Sequence, residues 1–404
     1  MDSPDAGPLR GVTVIELAHI MAGPVCGRML ADMGADVIKV ERVPSGDAAR
    51  GFVPPLIDGE SAAFMMLNRN KRGIAVDLKT EDGKAIVRRL LKDAEIVIEN
   101  YRKGTMERLG FGYEALRAHN PGLVYCEISG FGRTGPYADL GGFDLVAQGY
   151  SGLMSITGES TDRPPVKCGP PVTDITAGLL AAMGVLAAYV ERLKTGRGQR
   201  VDTSLFEAGI TQTFWQSAIA LATGVSPQPM GSAHPLNAPY EAFETADGWI
   251  TIGASSEATW RRLPPVLGLP GLLEDPRFSK NQDRMRNRPA LNAALAPAFK
   301  QRPTSEWLEL LETAGVPAGP VLSIGEMLEH PQARARDMVM QTEHASLGAV
   351  ETIGFPVKFS ATPASIERGA PRLGEHTEEV LRELGYGAPE IERFVQEGVV
   401  LAIA

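Results

Sequence analysis

Apolar and polar positions change period repeatedly along this chain, and those changes divide it. Short apolar runs predict strands at Val12 to Leu17 (VTVIEL), Asp36 to Glu41 (DVIKVE), Glu95 to Glu99 (EIVIE) and Leu123 to Ile128 (LVYCEI). Another strand lies in Asn68 to Leu78 (NRNKRGIAVDL), behind Lys71-Arg72. Helical spacing fills the gaps. Val25 to Met33 follows Pro24, which suits a first turn, and stops at Gly34. Glu81 to Ala94 repeats apolar residues at Ile86, Leu90 and Leu91 behind Thr80 as N-cap, and a helix from Thr105 carries Arg108. Strand and helix alternate four or five times, the pattern of a doubly wound α/β layer structure.

The pattern then changes. After the turn-rich Gly169-Pro170-Pro171 and Thr173-Asp174, an almost unbroken apolar run extends from Ile175 to Val190, followed by charges, a Gly-rich turn and an extended segment at Arg200 to Thr203. Its 16 residues fall short of the roughly 20 that a bilayer span needs. Its Ala and Gly content predicts a helix buried on all sides and closely approached by other backbone. Asp174 would lie in the first turn, where the helix dipole stabilises an anion. As a plain N-cap, Asp174 would need no chemistry; if Thr173 caps instead, the carboxylate is free to react. Spacing leaves both open.

Ser204 to Gly224 reads as a second apolar helix, and the Pro/Gly/Ser-rich Val225 to Pro239 as a linker. Tyr240 to Ala254 is two alternating strands around Ala246-Asp247-Gly248, a hairpin. Helices at Glu257 to Leu267, Pro289 to Lys300 and Thr304 to Gly315 complete a smaller α+β domain. A second connection, Val316 to Arg336, leads to extended segments at Met338 to Glu343 and Gly348 to Phe355 and to two short closing helices.

Composition narrows the function. The chain has 404 residues, 44% hydrophobic and 22% charged, enough for two domains with ample core. A net charge of −9 argues against nucleic acid. Cys26, Cys126 and Cys168 lack paired spacing and neighbouring histidines, so neither a disulfide framework nor a zinc site is expected. The first residues, MDSPDAGPLRG, lack the pattern of a signal peptide, and the expected location is the cytoplasm. HIMAGP after the first strand replaces the G-x-G-x-x-G of dinucleotide binders, which weakens any nicotinamide reading. Basic residues recur just after strands: Arg42, Lys71, Arg72, Lys79, Arg102, Lys103 and Arg108. Singly each reads as a solvated charge. Together, at one sheet edge of an acidic protein, they suit a polyphosphate.

Nine segments in order carry a resemblance over nearly the whole length. They are LRGVTVIELAHIMAGP, GADVIKVE, NRNKRGIAVDLK, IVIENYRKGTMERLGFGY, GFDLVAQGYSGLMSITG, TGRGQRVDTSLFEA, HPLNAPYEAFETADGWITI, AGVPAGPV and LGEHTEEVLRELGY. The chain resembles the class III CoA-transferases, which include formyl-CoA transferase and the enzyme once called carnitine dehydratase. The resemblance implies a Rossmann-like large α/β domain formed by 1–224 and a returning segment 331–404, with a smaller α+β domain at 225–330. It implies a ring-shaped monomer interlocked with a second in a homodimer. The catalytic aspartate falls on Asp174. CoA-binding positions fall on Ile20, Met21, Ala22, Arg42, Val76, Lys79, Asn100, Tyr101, Arg108 and Leu205.

The implied reaction moves CoA from an acyl-CoA, such as succinyl-CoA or another small dicarboxylic acyl-CoA, to a free carboxylic acid through an aspartyl-CoA thioester, without metal, redox cofactor, nucleic acid or membrane. Two departures bear on it. Met21 stands where formyl-CoA transferase has Gln, away from formyl and oxalyl specificity, and Gly141 or its neighbours lie where some members carry a lysine. The family's glycine-rich oxyanion loop has no GGGG run here; Gly231-Ser232 and Gly253-Ala254-Ser255 are the nearest segments. The alternatives on the same fold are an α-methylacyl-CoA racemase and a CoA-dependent lyase or dehydratase. The racemase needs a proton carrier where this chain has Phe143. His19, Phe143, Tyr150 and His234 are candidates for the acyl pocket or for packing.

Overall fold

The computed structural model describes residues 7–53 and 55–403. The chain divides into two compact units: the described parts of 1–152, 168–212 and 331–404, and a second unit of 153–167 and 213–330. The second unit includes 153–167 and 213–224, segments expected from the sequence to lie with the large domain. The single helix expected over Ser204 to Gly224 is two, Leu205–Gln212 and Phe214–Thr223, broken at Thr213. Leu205, Ala208 and Gly209 are buried, whereas no residue of Phe214–Thr223 is, so only the first helix is anchored in the first unit's core. No Gly or Pro stands at the break itself, where the chain reads Thr211-Gln212-Thr213.

Among the described residues, the first unit is built on a seven-stranded sheet. Its parallel strands, counted along the chain, are Thr13–Leu17, Asp36–Glu41, Lys71–Val76, Ile96–Glu99, Val124–Ser129 and Arg200–Ser204, in the order 3-2-1-4-5-6. Val400–Leu401 adds an antiparallel edge beside Lys71–Val76. The order reverses between the first and fourth strands, and open α/β sheets bind ligands at the carboxyl ends beside such a reversal.

Period-two alternation gives the sheet two apolar faces. Val14, Val37, Ile96, Ile98 and Cys126 face the helices Ala22–Asp32 and Val172–Thr195. Ile15, Leu17, Ile38, Val97 and Tyr125 face the helices Glu81–Lys92, Thr377–Glu383 and Ala388–Gln396. Thr80 caps Glu81–Lys92 as its sequence predicts, accepting the Gly83 N–H at 3.0 Å. The sequence gives no warning of the short helices Ala62–Asn68 and Asp144–Tyr150.

The long apolar helix is not buried all round in this chain. Thr173, Ala177, Gly178, Ala181, Ala182, Val185 and Ala188 form its buried stripe. Small residues are required there: a Cβ on Gly178 would lie 2.7 Å from the Ala22 carbonyl oxygen. Leu179, Met183, Val190 and Leu193 are exposed, Met183 at 62% and Leu193 at 68%. Val172–Thr195 is long and apolar enough to cross a membrane, but it packs its small-residue stripe into the sheet.

The second unit has its own core. Tyr240–Glu244, Trp249–Gly253 and Ala318–Pro320 form an antiparallel sheet, with the predicted hairpin closed by the Thr245 N–H to the Gly248 carbonyl at 2.9 Å. Trp260, Phe278, Phe299 and Trp307 fill the space between that sheet and its helices.

Candidate active site

The loops after the first and fourth strands border a cavity of about 420 Å³ in the first unit. Ile20, Met21, Ala22, Asn100, Tyr101, Arg108, Asp174 and Leu205 line it, joined by His19, Arg102, Lys103, Arg133 and Phe143. A neighbouring cavity of about 310 Å³ shares His19 and Tyr101 and is lined by Arg42, Gly46 and Asp47. Val76 and Lys79 line neither. The Val76 side chain is in the core and its backbone pairs with Val400; Lys79 is exposed beyond the end of its strand.

Neither Thr173 nor Asp174 caps the long helix. That role belongs to Asp144 from another helix. Its Oδ1 accepts the Thr173 N–H at 2.9 Å and the Thr173 hydroxyl at 2.8 Å. Gln148 donates to Asp144 Oδ2 at 2.7 Å and accepts the Cys168 N–H at 2.8 Å. Relieved of capping, Asp174 presents its carboxylate to the cavity and to the Ala22 N–H. Burial and then the nearby Asp144 charge push its pKa up to about 7, against the opposing Ala22 N–H. A carboxylate short of water and cationic neighbours is more basic than a solvated one, which favours attack on a carbonyl. The sequence signal for Asp144 was its place in Gly142-Phe143-Asp144, four residues before Gln148.

Side chains hold four backbone groups of the loop from Ala18 to Ala22. Asn100 accepts the His19 N–H at 3.0 Å and donates to the His19 carbonyl at 2.8 Å. Lys39 donates to the Ala18 carbonyl at 2.8 Å, and Asp47 accepts the Ile20 N–H at 2.9 Å. Ile20 has φ +64°, a left-handed conformation that costs a β-branched residue about 1–2 kcal/mol. Across the crevice, Glu99 accepts the Tyr101 N–H at 2.7 Å, and Arg133 donates to the Tyr101 carbonyl at 3.0 Å while pairing with Glu99 and Glu127. Asn100 is thus a clasp between two loops, which its strand-end position alone did not reveal. Burial, chiefly, lowers the pKa of His19, and its ring packs 5.5 Å from that of Tyr101.

The basic residues separate. Arg42, Arg102, Lys103 and Arg108 are exposed at the cavities, and the Arg102 guanidinium lies 3.1 Å from where a Gly141 Cβ would be. Lys71 and Arg72 do not join this set. Lys71 is fully buried against Glu16 at 2.7 Å, and Arg72 pairs with Asp36, Glu379 and Glu383. Both begin a strand, whereas the cavities open where strands end. Tyr150 packs on Phe131 and Tyr137 and lines neither cavity; His234 belongs to the second unit, against Trp215 and Tyr240.

A parallel sheet with a cation-rimmed crevice at its reversal, and the half-buried Asp174 carboxylate facing that crevice, defines an α/β protein equipped for an acylated polyphosphate. The chain belongs to CoA-transferase family III, whose profile matches residues 9–377, and it is accordingly an enzyme that transfers CoA. It is 41% identical over 383 residues to the succinate–glutarate CoA-transferase of Agrobacterium fabrum, covering 93% of this chain and 96% of that one. It is 36% identical over 394 residues to the human succinyl-CoA:glutarate CoA-transferase, covering 97% and 90%. A crystal structure of a CAIB/BAIF family protein from Brucella suis superposes with a TM-score of 0.84 at 40% identity, covering 94% of this chain and all of the other.

Proposed function

We propose that this enzyme moves CoA from a small dicarboxylic acyl-CoA, with succinyl-CoA as the leading donor, to a free carboxylic acid, and that Asp174 is the group acylated on the way. The observation that carries the reading is Asp174 itself: a half-buried carboxylate with a raised pKa, excused from capping by Asp144 and aimed into the cavity. The succinyl-CoA in the names of several relatives supports that donor.

The chemistry then runs in four balanced transfers. An Asp174 oxygen attacks the thioester carbonyl, the C–S bond breaks, and CoA leaves as thiolate from a mixed anhydride. The thiolate attacks the Asp174 carbonyl carbon, expelling the donor carboxylate and leaving an aspartyl-CoA thioester. The acceptor carboxylate attacks that thioester and again releases the thiolate. The thiolate takes the acceptor's acyl group and restores the Asp174 carboxylate. Each exchange replaces one difficult displacement with easier ones. Arg42, with Arg102 and Arg108, would meet the nucleotide phosphates, while Ile20, Met21 and Ala22 border the acyl end. Lys79 would reach the ligand from outside both cavities, and Val76 would support that edge from the core. Phe143, 70% exposed at the cavity, carries no proton for racemisation.

The working form is proposed to be a homodimer, in which a second copy covers the exposed apolar face of Val172–Thr195. Light scattering over a wide dilution range tests this; a folded monomer at low concentration would sink it. The catalytic reading is tested by incubating the enzyme with acyl-CoA alone. A thioester on the Asp174 peptide, trapped with borohydride and located by mass spectrometry, is expected. Asp174→Asn should bind CoA and stay folded yet lose transfer; substantial transfer by that variant, with deamidation excluded, would show the mechanism to be wrong.

A further inference from the structure

Beneath the cavity lies a cluster of charges that the proposed chemistry does not use. Glu16 and Lys39 face each other from adjacent strands, and Lys71 lies on the next one, so all three project on the same side of the sheet. Lys39 pairs with Glu16 at 3.0 Å and with Asp47 at 2.9 Å, and Lys71 pairs with Glu16 at 2.7 Å. The side chains of Glu16, Lys39 and Lys71 are wholly buried, and that of Asp47 nearly so. The two carboxylates and two ammonium groups balance. The helix above makes room for them: a Cβ on Gly27 would lie 1.9 Å from Glu16 Oε2.

Buried ion pairs add little net stability compared with apolar packing, so their placement is informative. Lys39 reaches both sides of the strained loop, the Ala18 carbonyl directly and the Ile20 N–H through Asp47. Asp47 also borders the neighbouring cavity with Arg42. One carboxylate therefore ties the loop before Asp174 to the segment that would meet the nucleotide.

We propose that Asp47 is a positioning residue for CoA transfer: anchored by Lys39, it holds the Ile20 N–H and keeps the Ala18–Ala22 loop in a left-handed conformation that an isoleucine does not favour by itself. This rests on the reading that the loop borders the reacting acyl group. A misplaced loop would move the Ala22 N–H and the Met21 side chain away from the reacting atoms, and misplacement by about 1 Å can cost about a hundred-fold in rate.

The test uses the full chain, with succinyl-CoA and a free dicarboxylate that the parent turns over. Asp47→Ala should lower kcat between about ten- and a hundred-fold. Ile20→Gly in that background should recover at least about three-fold, because glycine enters the left-handed region without steric cost. A merely structural Asp47 would leave the double variant as slow as the single one. A folded Asp47→Ala with kcat within about two-fold of the parent, or a double variant no faster than the single, overturns the proposal. If Asp47→Ala does not fold, Asp47→Asn serves, since it keeps an oxygen for Ile20 but drops the charge facing Lys39. Its smaller loss should show the same rescue by Ile20→Gly, and no rescue overturns the proposal. Because these are relative transfer rates, they stand apart from the trapping experiment: rescue without an adduct on Asp174 would sink the nucleophile and leave Asp47's role intact.

Discussion

Two groups of cations lie within one sheet's reach, and their circumstances are opposite. Lys39 and Lys71 are sealed beneath the first loop, each matched to a carboxylate. Arg42, Arg102 and Arg108 stand in solvent around the cavities. The Arg42 side chain donates to the Gly46 carbonyl of its own turn at 3.2 Å, and that of Arg108 to the Thr105 hydroxyl at 2.9 Å. Burial alone would lower Lys39, but Glu16 and Asp47 raise it. Lys71, with fewer acidic neighbours, is brought down to about 8 by burial despite Glu16. The lesson concerns desolvation: a cation that has already lost its water to a carboxylate builds a scaffold, while one that keeps its water remains available to a phosphate.

Lys39→Met should break this comparison most severely. It strands Asp47 without its cation and leaves Glu16 with Lys71 alone, and removing one partner of a buried pair costs about 3–5 kcal/mol. Urea denaturation would read the loss; a change below about 1 kcal/mol would mean that the pairs are dispensable. On the rim, Arg42→Ala or Arg108→Ala should leave the denaturation midpoint unchanged and raise KM about ten-fold or more for every acyl-CoA alike. An increase confined to one donor would place that arginine at the acyl end instead.

A pH profile sharpens the contrast at the anion between the two groups. Attack requires the ionised form, so kcat/KM should rise with pH and level off above about 7, the value to which burial and Asp144 push Asp174. Asp144→Asn removes the neighbouring charge and should move that limb to lower pH. The stability sign is opposite. The folded state holds the Asp174 proton more tightly than the unfolded state, so this group's contribution to stability is lost as pH rises from the ordinary carboxylate range through about 7. Asp174→Asn should therefore be no less stable than the parent at pH 8 by thermal melting. The smallest effect belongs to Lys84→Ala, which removes an ion pair with Glu81, exposed at the helix surface. Neither melting nor KM should change measurably.

The sequence by itself determined the alternating α/β pattern, the Thr80 cap, the hairpin of the second unit and the position of Asp174 in a helical first turn. These are local matters of period, turn chemistry and capping, and neighbouring residues suffice to set them. The family was legible too, because nine short segments recur in order. Only the tertiary structure decided which aspartate caps the long helix, since Asp144 reaches Thr173 across 29 residues. It also decided which cations are scaffold. Glu16 and Lys39 sit inside strands that read as apolar, and a charge within a central strand was the available hint. Their pairing depends on the register Glu16 to Lys39, which no local spacing encodes. Lys71 reads like any basic residue beside a strand, yet it begins its strand where Arg42 follows one, and in a parallel sheet those positions lie at opposite edges. Burial of the apolar helix was overestimated for a related reason: composition reports how much surface wants covering, while the packing partners of this chain cover only the stripe from Thr173 to Ala188.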